Sequence, residues 1–332
     1  MNFIQKYIIG LLIFITLIFY TQPAMYSWGF FGHKKINRMA VFTLPPEMIG
    51  FYKKNIEYIT EHAVDPDKRR YSTEGEAARH YIDIDHYMHD GNDPFEIMPK
   101  QWNKAIEKFT EDTLQAYGIV PWHVNLMVMR LTKAFEEKDV DKILRVSADL
   151  GHYIGDSHVP LHTTENYNGQ LTNQKGIHGF WESRIPEIKA KDYDYFVGRA
   201  VYVENILEDE WATVKESFGA KDSVLDLEQK LNDEFPTDRK YAFENRGAVI
   251  MRTYSEDYSN AYHDLLNGMV ERRLTKSIIT VGSYWYTAWV NAGQPDLNKL
   301  MEKTPSQQLV EEDVELNKLF ETNKIKGREH EN

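Results

Sequence analysis

Apolar residues recur three and four positions apart along most of this chain. The rhythm holds over 100–115, 122–137, 139–157, 199–217, 240–267 and 272–291, the spacing that lays one apolar stripe along a helix. Each segment is read as an amphipathic helix facing a shared core. Runs that alternate apolar with polar residues, the mark of a half-buried strand, are scarce. Pro45-Pro46, Pro121, Pro160 and Pro186 punctuate helix starts and turns, positions that tolerate a missing N–H. Residues 163–177 (TTENYNGQLTNQKGI) are polar and rich in Asn and Gly, which predicts a surface loop between two helices. No internal repeat or Gly/Ser-rich linker divides the chain. The pattern predicts a mainly α fold, a single multi-helix domain over 28–302. Residues 303–332 are expected to form a highly charged C-terminal tail that frays.

The first 27 residues follow another pattern. Lys6 precedes an apolar run from Ile8 to Tyr20, followed by Thr21-Gln22-Pro23-Ala24. This is the order of a signal peptide, and the run is short for a membrane span, which needs about 20 apolar residues. Cleavage between Ser27 and Trp28 leaves a small residue at the cut, although Met25 is larger than usual at its place. The expected destination is the periplasm or the exterior; an uncleaved N-terminal anchor is the alternative.

Composition narrows the chemistry. The chain carries 39 Lys and Arg against 51 Asp and Glu, a net charge of −12. Such a protein repels a polyanion, so a phosphate-bearing substrate would need bound cations for local attraction. There is no cysteine. Any metal must therefore rest on His, Asp and Glu.

The twelve histidines are unevenly spread. The densest run is Gly151-His152-Tyr153-Ile154-Gly155-Asp156-Ser157-His158-Val159-Pro160-Leu161-His162. On a helix His152 and Asp156 share one face, and Pro160 then turns the chain so that His162 can point back. His178 and Glu182 repeat the spacing. One such pair is usually a surface hydrogen bond; two pairs with His162 among apolar neighbours suit a borderline cation such as zinc. Upstream lie Trp28-Gly29-Phe30-Phe31-Gly32-His33, Asp65-Pro66-Asp67-Lys68-Arg69-Arg70 and Arg79-His80-Tyr81-Ile82-Asp83. Each alone has an ordinary structural reading as core aromatic, solvated turn or buried histidine.

Together these motifs resemble the superfamily that joins bacterial zinc-dependent phospholipase C to the single-strand-specific nucleases of fungi and plants. Residues 28–33 match that nuclease branch's N-terminal Trp-Gly-x-x-Gly-His, and residues 152–162 match its His-x-Ile-Gly-Asp-x-His-x-Pro-Leu-His segment. The resemblance implies three zinc ions per chain. One would be held by Asp67 (or Asp65), His80, His152 and Asp156. A second would be held by His162, His178 and Glu182. The third would take the free amino group and carbonyl of Trp28, with His33 and Asp156, so that Asp156 bridges. It further implies that Asp67, Arg70 and Asp156 serve catalysis, and that Tyr81 and Asp83 bind substrate by stacking on and contacting a base. Simple packing is the alternative reading of Tyr81.

The implied activity is hydrolysis of phosphodiester bonds by metal-activated water, on single-stranded nucleic acid or nucleotides. Hydrolysis of phospholipid head groups is the alternative, since Glu182 stands where the nucleases usually have Asp. A non-enzymatic metal-binding protein would need only part of the ligand set. No protein partner is indicated.

Overall fold

The computed structural model describes residues 29–322 apart from 71, 90, 247–248 and 303–305. The expected leader and Trp28 lie outside the described residues. The architecture is mainly α-helical, with one two-stranded hairpin among the described residues. No described helix is long and apolar enough to cross a membrane.

The helices in chain order are α1 (Gly29–Ala40), α2 (Pro46–Lys54), α3 (Ile56–Glu61), α4 (Asp65–Arg69), α5 (Pro94–Ile97), α6 (Trp102–Phe109), α7 (Glu111–Tyr117), α8 (Val120–Glu137) and α9 (Val140–Ser157). Then come α10 (Ile177–Gly179), a π-helical turn at Phe180–Arg184, α11 (Ile185–Lys189) and α12 (Ile206–Glu234). The hairpin β1 (Tyr241–Arg246) and β2 (Val249–Tyr254) precedes α13 (Glu256–Leu265), α14 (Met269–Asn291) and α15 (Gln307–Glu321).

Helix α9 is the axis of the molecule. The Asp139 side chain caps it by accepting from the Lys142 N–H, which satisfies one of the donors that a helix start leaves open. Its last three turns are buried on every side, by α8, α14, α1 and α3. Such a helix reads as core rather than amphipathic surface, and its polar residues must find partners inside. Two glycines make the α1 contact close. A Cβ on Gly151 would lie 1.9 Å from Asn37 Oδ1, and one on Gly155 would lie 3.1 Å from His33 Nδ1. The Asn37 amide uses this proximity to donate to the Ala148 and Ile59 carbonyls at 3.0 and 3.3 Å. On the far side Trp285 of α14 stacks on Tyr52 and donates its indole N–H to the Ser147 carbonyl at 3.1 Å.

Two expectations drawn from periodicity are corrected, and the charged C-terminal segment contains a helix. Residues 240–254 are not helical: they form the hairpin, Tyr241 facing Tyr254 and Asn245 facing Ile250. The four-residue spacing of Tyr254, Tyr258 and Tyr262 extended a genuine helix backwards into a segment whose β-branched and aromatic residues favour strand. Helix α12 starts at Ile206 rather than 199, capped by Asn205, and runs on to Glu234. Before it, the chain lies along α14, with the Val201 and Val203 N–H groups bonded to Ser283 Oγ and Thr287 Oγ1. The C-terminal segment holds a docked helix, α15. Ser306 caps it, Leu309 is buried, and Phe320 sits 6.0 Å from the Phe30 ring. Its apolar positions are spaced widely among charges, which hid the contact face.

Candidate metal centre

Six stretches of the chain deliver the expected residues to one buried place. Helix α1 brings His33, α4 brings Asp67, the 3-10 turn Ala77–His80 brings His80, and α9 brings His152 and Asp156. The 3-10 turn Pro160–Thr163 returns His162, and the π turn following α10 carries Glu182 beside His178. A π turn widens the helix and is frequent at functional sites.

Two donor clusters meet at Asp156. In the first, His80 Nδ1 and His152 Nε2 lie 2.9 and 3.2 Å from Asp156 Oδ2 and 3.0 Å from each other. Asp67 Oδ1 is 3.7 Å from His152 Nε2 and 3.9 Å from His80 Nδ1. Asp65 points elsewhere: its carboxylate is tied to His62 at 2.6 Å and Lys68 at 2.8 Å. In the second, His162 Nε2 and His178 Nε2 are 3.5 and 3.0 Å from Glu182 Oε2 and 3.1 Å apart. The other Asp156 oxygen, Oδ1, faces His33 Nε2 at 3.5 Å and His162 Nδ1 at 3.7 Å.

The outer nitrogens are anchored. His152 Nδ1 donates to the Ala63 carbonyl at 2.9 Å, His162 Nδ1 to the His80 carbonyl at 2.5 Å, and His178 Nδ1 to the Tyr167 carbonyl at 3.1 Å. With that proton held on Nδ1, each Nε2 faces the cluster and is the atom that would give its lone pair to a cation, the usual arrangement of metal-ligating histidine.

Electrostatics strain this cluster. Burial and the neighbouring Asp156 raise the Asp67 carboxyl to about 7. His152 resists burial and is held up at about 9 by Asp156 and Asp67. Burial and His152 push His33 down to about 4. Glu182 falls to about 2 because His178 and His162 outweigh its burial. Three buried carboxylates thus share a few imidazoles, with no lysine or arginine ion-paired to them among the described residues. Several buried polar atoms remain without a hydrogen bond: His33 Nδ1, Asp67 Oδ2 and His80 Nε2. Buried orphans of this kind cost about 1–3 kcal/mol each unless something else binds them. The residues therefore fit metal ions: three sets, His33-His152-Asp156, Asp67-His80-His152 and His162-His178-Glu182, each offer ligand atoms within 4.8 Å of one another.

Arg70, Tyr81 and Asp83 line one cavity with Leu161, His162, Tyr167 and His178. The Arg70 guanidinium has no hydrogen bond or ion pair among the described residues, and its charge acts on Asp67 and His80. The Tyr81 hydroxyl donates to the Ala116 carbonyl at 3.2 Å, and the ring is largely buried. Main-chain bonds from Ile82 to His162 and from Asp83 to Tyr117, at 2.9 and 2.7 Å, pin the strand-like stretch between them.

Sequence reasoning missed the residues behind the cluster. Glu76 lies 3.9 Å from His80 Nε2, pairs with Arg79 at 2.5 Å and accepts from the Tyr153 hydroxyl. Its place four residues before His80 was the available signal. Tyr167, in the polar loop, gave none. His158 turns away from the cluster, with Nδ1 2.7 Å from the Ile154 carbonyl.

No curated protein matches the chain. The family model described as S1/P1 Nuclease matches residues 28–283, most of the chain and all the stretches that build this centre. On that match the chain belongs to the S1/P1 nuclease family.

Proposed function

We propose that this member of a phosphodiester-hydrolysing family is a zinc enzyme that cleaves single-stranded nucleic acid or nucleotides. The carrying observation is the cluster of three carboxylates and five imidazoles, beside a cavity lined by Arg70, which has no ion-pair partner among the described residues. The donor separations of 2.9–3.9 Å suit tetrahedral zinc, in which ligands about 2.1 Å from the ion stand roughly 3.4 Å apart. Asp67, His80, His152 and Asp156 would hold one ion, and His162, His178 and Glu182 a second. His33 and Asp156 would hold a third together with the amino terminus at Trp28. Gly29 supports that last assignment: with φ +42° it packs so closely that a Cβ would lie 2.8 Å from Ser183 Oγ, beside Glu182.

Bound zinc supplies Lewis-acid stabilisation of a phosphate and a water acidic enough to attack at neutral pH. The chain's own residues do the rest. Asp156, with one oxygen toward each cluster, sets the spacing of the sites. Arg70 offers paired N–H donors to a phosphate oxygen in the adjoining cavity. Tyr81 and Asp83 line the same cavity as Arg70, and an aromatic ring with a carboxylate beside the metals suits a nucleotide base better than a lipid head group. Export through cleavage of residues 1–27 completes the reading.

The test is elemental analysis of protein purified without chelator, followed by an activity panel of single-stranded DNA, RNA, 3′-nucleotides and phosphatidylcholine. About three zinc per chain and preference for the nucleic acids are expected. At most one zinc with full activity overturns the three-metal site. Ready lipid hydrolysis with single-stranded DNA left intact hands the function to the phospholipase reading.

A further inference from the structure

The β1–β2 hairpin has no role in the metal centre, yet it is built onto it. Tyr254 at its base stacks on Phe180 at 3.9 Å, and Phe180 lies between His178 and Glu182. Arg184, two residues past Glu182, donates to the Tyr254 carbonyl at 3.1 Å and pairs with Glu244 of β1. The antiparallel register puts Tyr241 opposite Tyr254, Phe243 opposite Arg252 and Asn245 opposite Ile250. Residues opposite one another, and every second residue along a strand, share a face. One face therefore carries three rows that lead outward from the helix bearing His178 and Glu182.

The outer rows are open. Phe243 is 76% exposed and Ile250 68%. Arg252 lies 3.6 Å over the Tyr241 ring and has no acidic partner among the described residues. Residues 239–254 hold four cations, Arg239, Lys240, Arg246 and Arg252, against one acid, Glu244, in a chain of net charge −12. Arg239 and Lys240 are engaged by Asp257 and Glu228, which leaves Arg252 available on the aromatic face. An exposed aromatic ring beside an unpaired guanidinium is the combination that grips a single strand: the ring stacks on a base and the cation meets a phosphate. The rest of the acidic surface would repel that strand.

We propose that this face, centred on Phe243 and Arg252, is an extended binding platform for single-stranded polynucleotide beyond the nucleotide at the metals. The proposal rests on the nuclease reading above and adds to it a preference for strands over short substrates.

The experiment measures binding of phosphorothioate oligothymidylates, a decamer and a dinucleotide, to the zinc-loaded protein by fluorescence anisotropy. The wild type should bind the decamer more tightly than the dinucleotide. Phe243→Ala should remove roughly fivefold to a hundredfold of that length advantage, the range of one base–aromatic stack. Phe243→Tyr should restore it, and Arg252→Gln should reduce both the advantage and its salt dependence. Phe196→Ala, at a phenylalanine 93% exposed elsewhere, serves as control and should keep the advantage. Both hairpin side chains face solvent, and circular dichroism with thermal melting confirms that each variant folds. An unchanged length advantage in Phe243→Ala and Arg252→Gln overturns the proposal. So does binding to phosphatidylglycerol vesicles that needs Phe243 while oligomer binding does not, which would make the hairpin a membrane contact. A wild type that binds the decamer through Phe243 but cleaves no nucleic acid sinks the nuclease reading and leaves the platform standing.

Discussion

Asp156 shows how one side chain can set a site. It is fully buried, its Oδ2 within 3.2 Å of both His80 and His152 and its Oδ1 turned to His33 and His162. The surrounding imidazoles hold its carboxyl well below the usual range despite burial. Changing it to Asn keeps the volume but removes the charge and turns one of its two acceptor oxygens into a donor. Asp156→Asn is expected to lose activity by about a thousandfold or more, the scale of a lost metal-based contact in the transition state. Zinc content should fall with it. Steady-state rates and elemental analysis check this, and a variant with a tenth of the wild-type rate and full zinc would show that Asp156 does not bridge. His152, Asp156, His162, His178 and Glu182 were legible in the sequence as candidates because their spacing is local. Asp67 against Asp65 was not, since both sit on one acidic turn. The choice of side chain depends on His62 and Lys68 engaging Asp65.

At the scale of elements, α12 carries a polar group where a core contact is expected. Glu210 is fully buried, 3.4 Å from the Tyr284 hydroxyl of α14, and one of its oxygens has no partner. Burial raises its carboxyl to about 8. The folded protein therefore keeps a proton that the unfolded chain gives up near the ordinary value of about 4.3. Stability contributed by this group is present at low pH and declines as pH rises towards 8, because the folded state binds more protons than the unfolded one. Glu210→Gln, which cannot ionise, should remove that decline. Thermal melting at pH 5 and pH 9 should show a smaller loss of Tm in the variant, worth a few kcal/mol at pH 9. Equal losses in the two proteins would mean that Glu210 stays ionised in the fold. Its period within α12 was visible in sequence; that its face meets α14 was not. Periodicity failed where a helix and a neighbouring strand happened to share an apolar spacing, as in 240–254.

At the scale of the molecule, α1 begins at Gly29, packed on Ser183, and His33 stacks on His152 at 3.8 Å. If Trp28 supplies its amino group, removal of the leader is part of building the site. The amine's reference pKa of about 7.7–8.0 leaves a usable unprotonated fraction at neutral pH, and a nearby cation lowers it further. One residue added before Trp28 turns that amine into an amide, a poor ligand. The mature protein beginning at Trp28 and a form with one extra Gly ahead of it should both fold. The extended form should carry one zinc fewer and lose most of its turnover. Equal zinc and equal rates in the two forms would falsify the N-terminal ligand.

The helical class, the lack of thiol ligands and most of the candidate ligands are legible in the sequence alone, because these follow from local spacing and residue chemistry. Two pairs four apart, a proline-turned His162 and the His80 run need only a helix or a turn to be recognisable. Tertiary structure decided which groups meet. Gly151 and Gly155 let α1 approach α9 closely enough for His33 to face Asp156. Glu76, Tyr153 and the carbonyls of Ala63 and Tyr167 enter the site only because distant segments pack against it. The hairpin and the docked α15 likewise depend on partners outside their own segments. Periodicity reports which face of an element is apolar; what that face will meet is fixed by the packing of the whole chain.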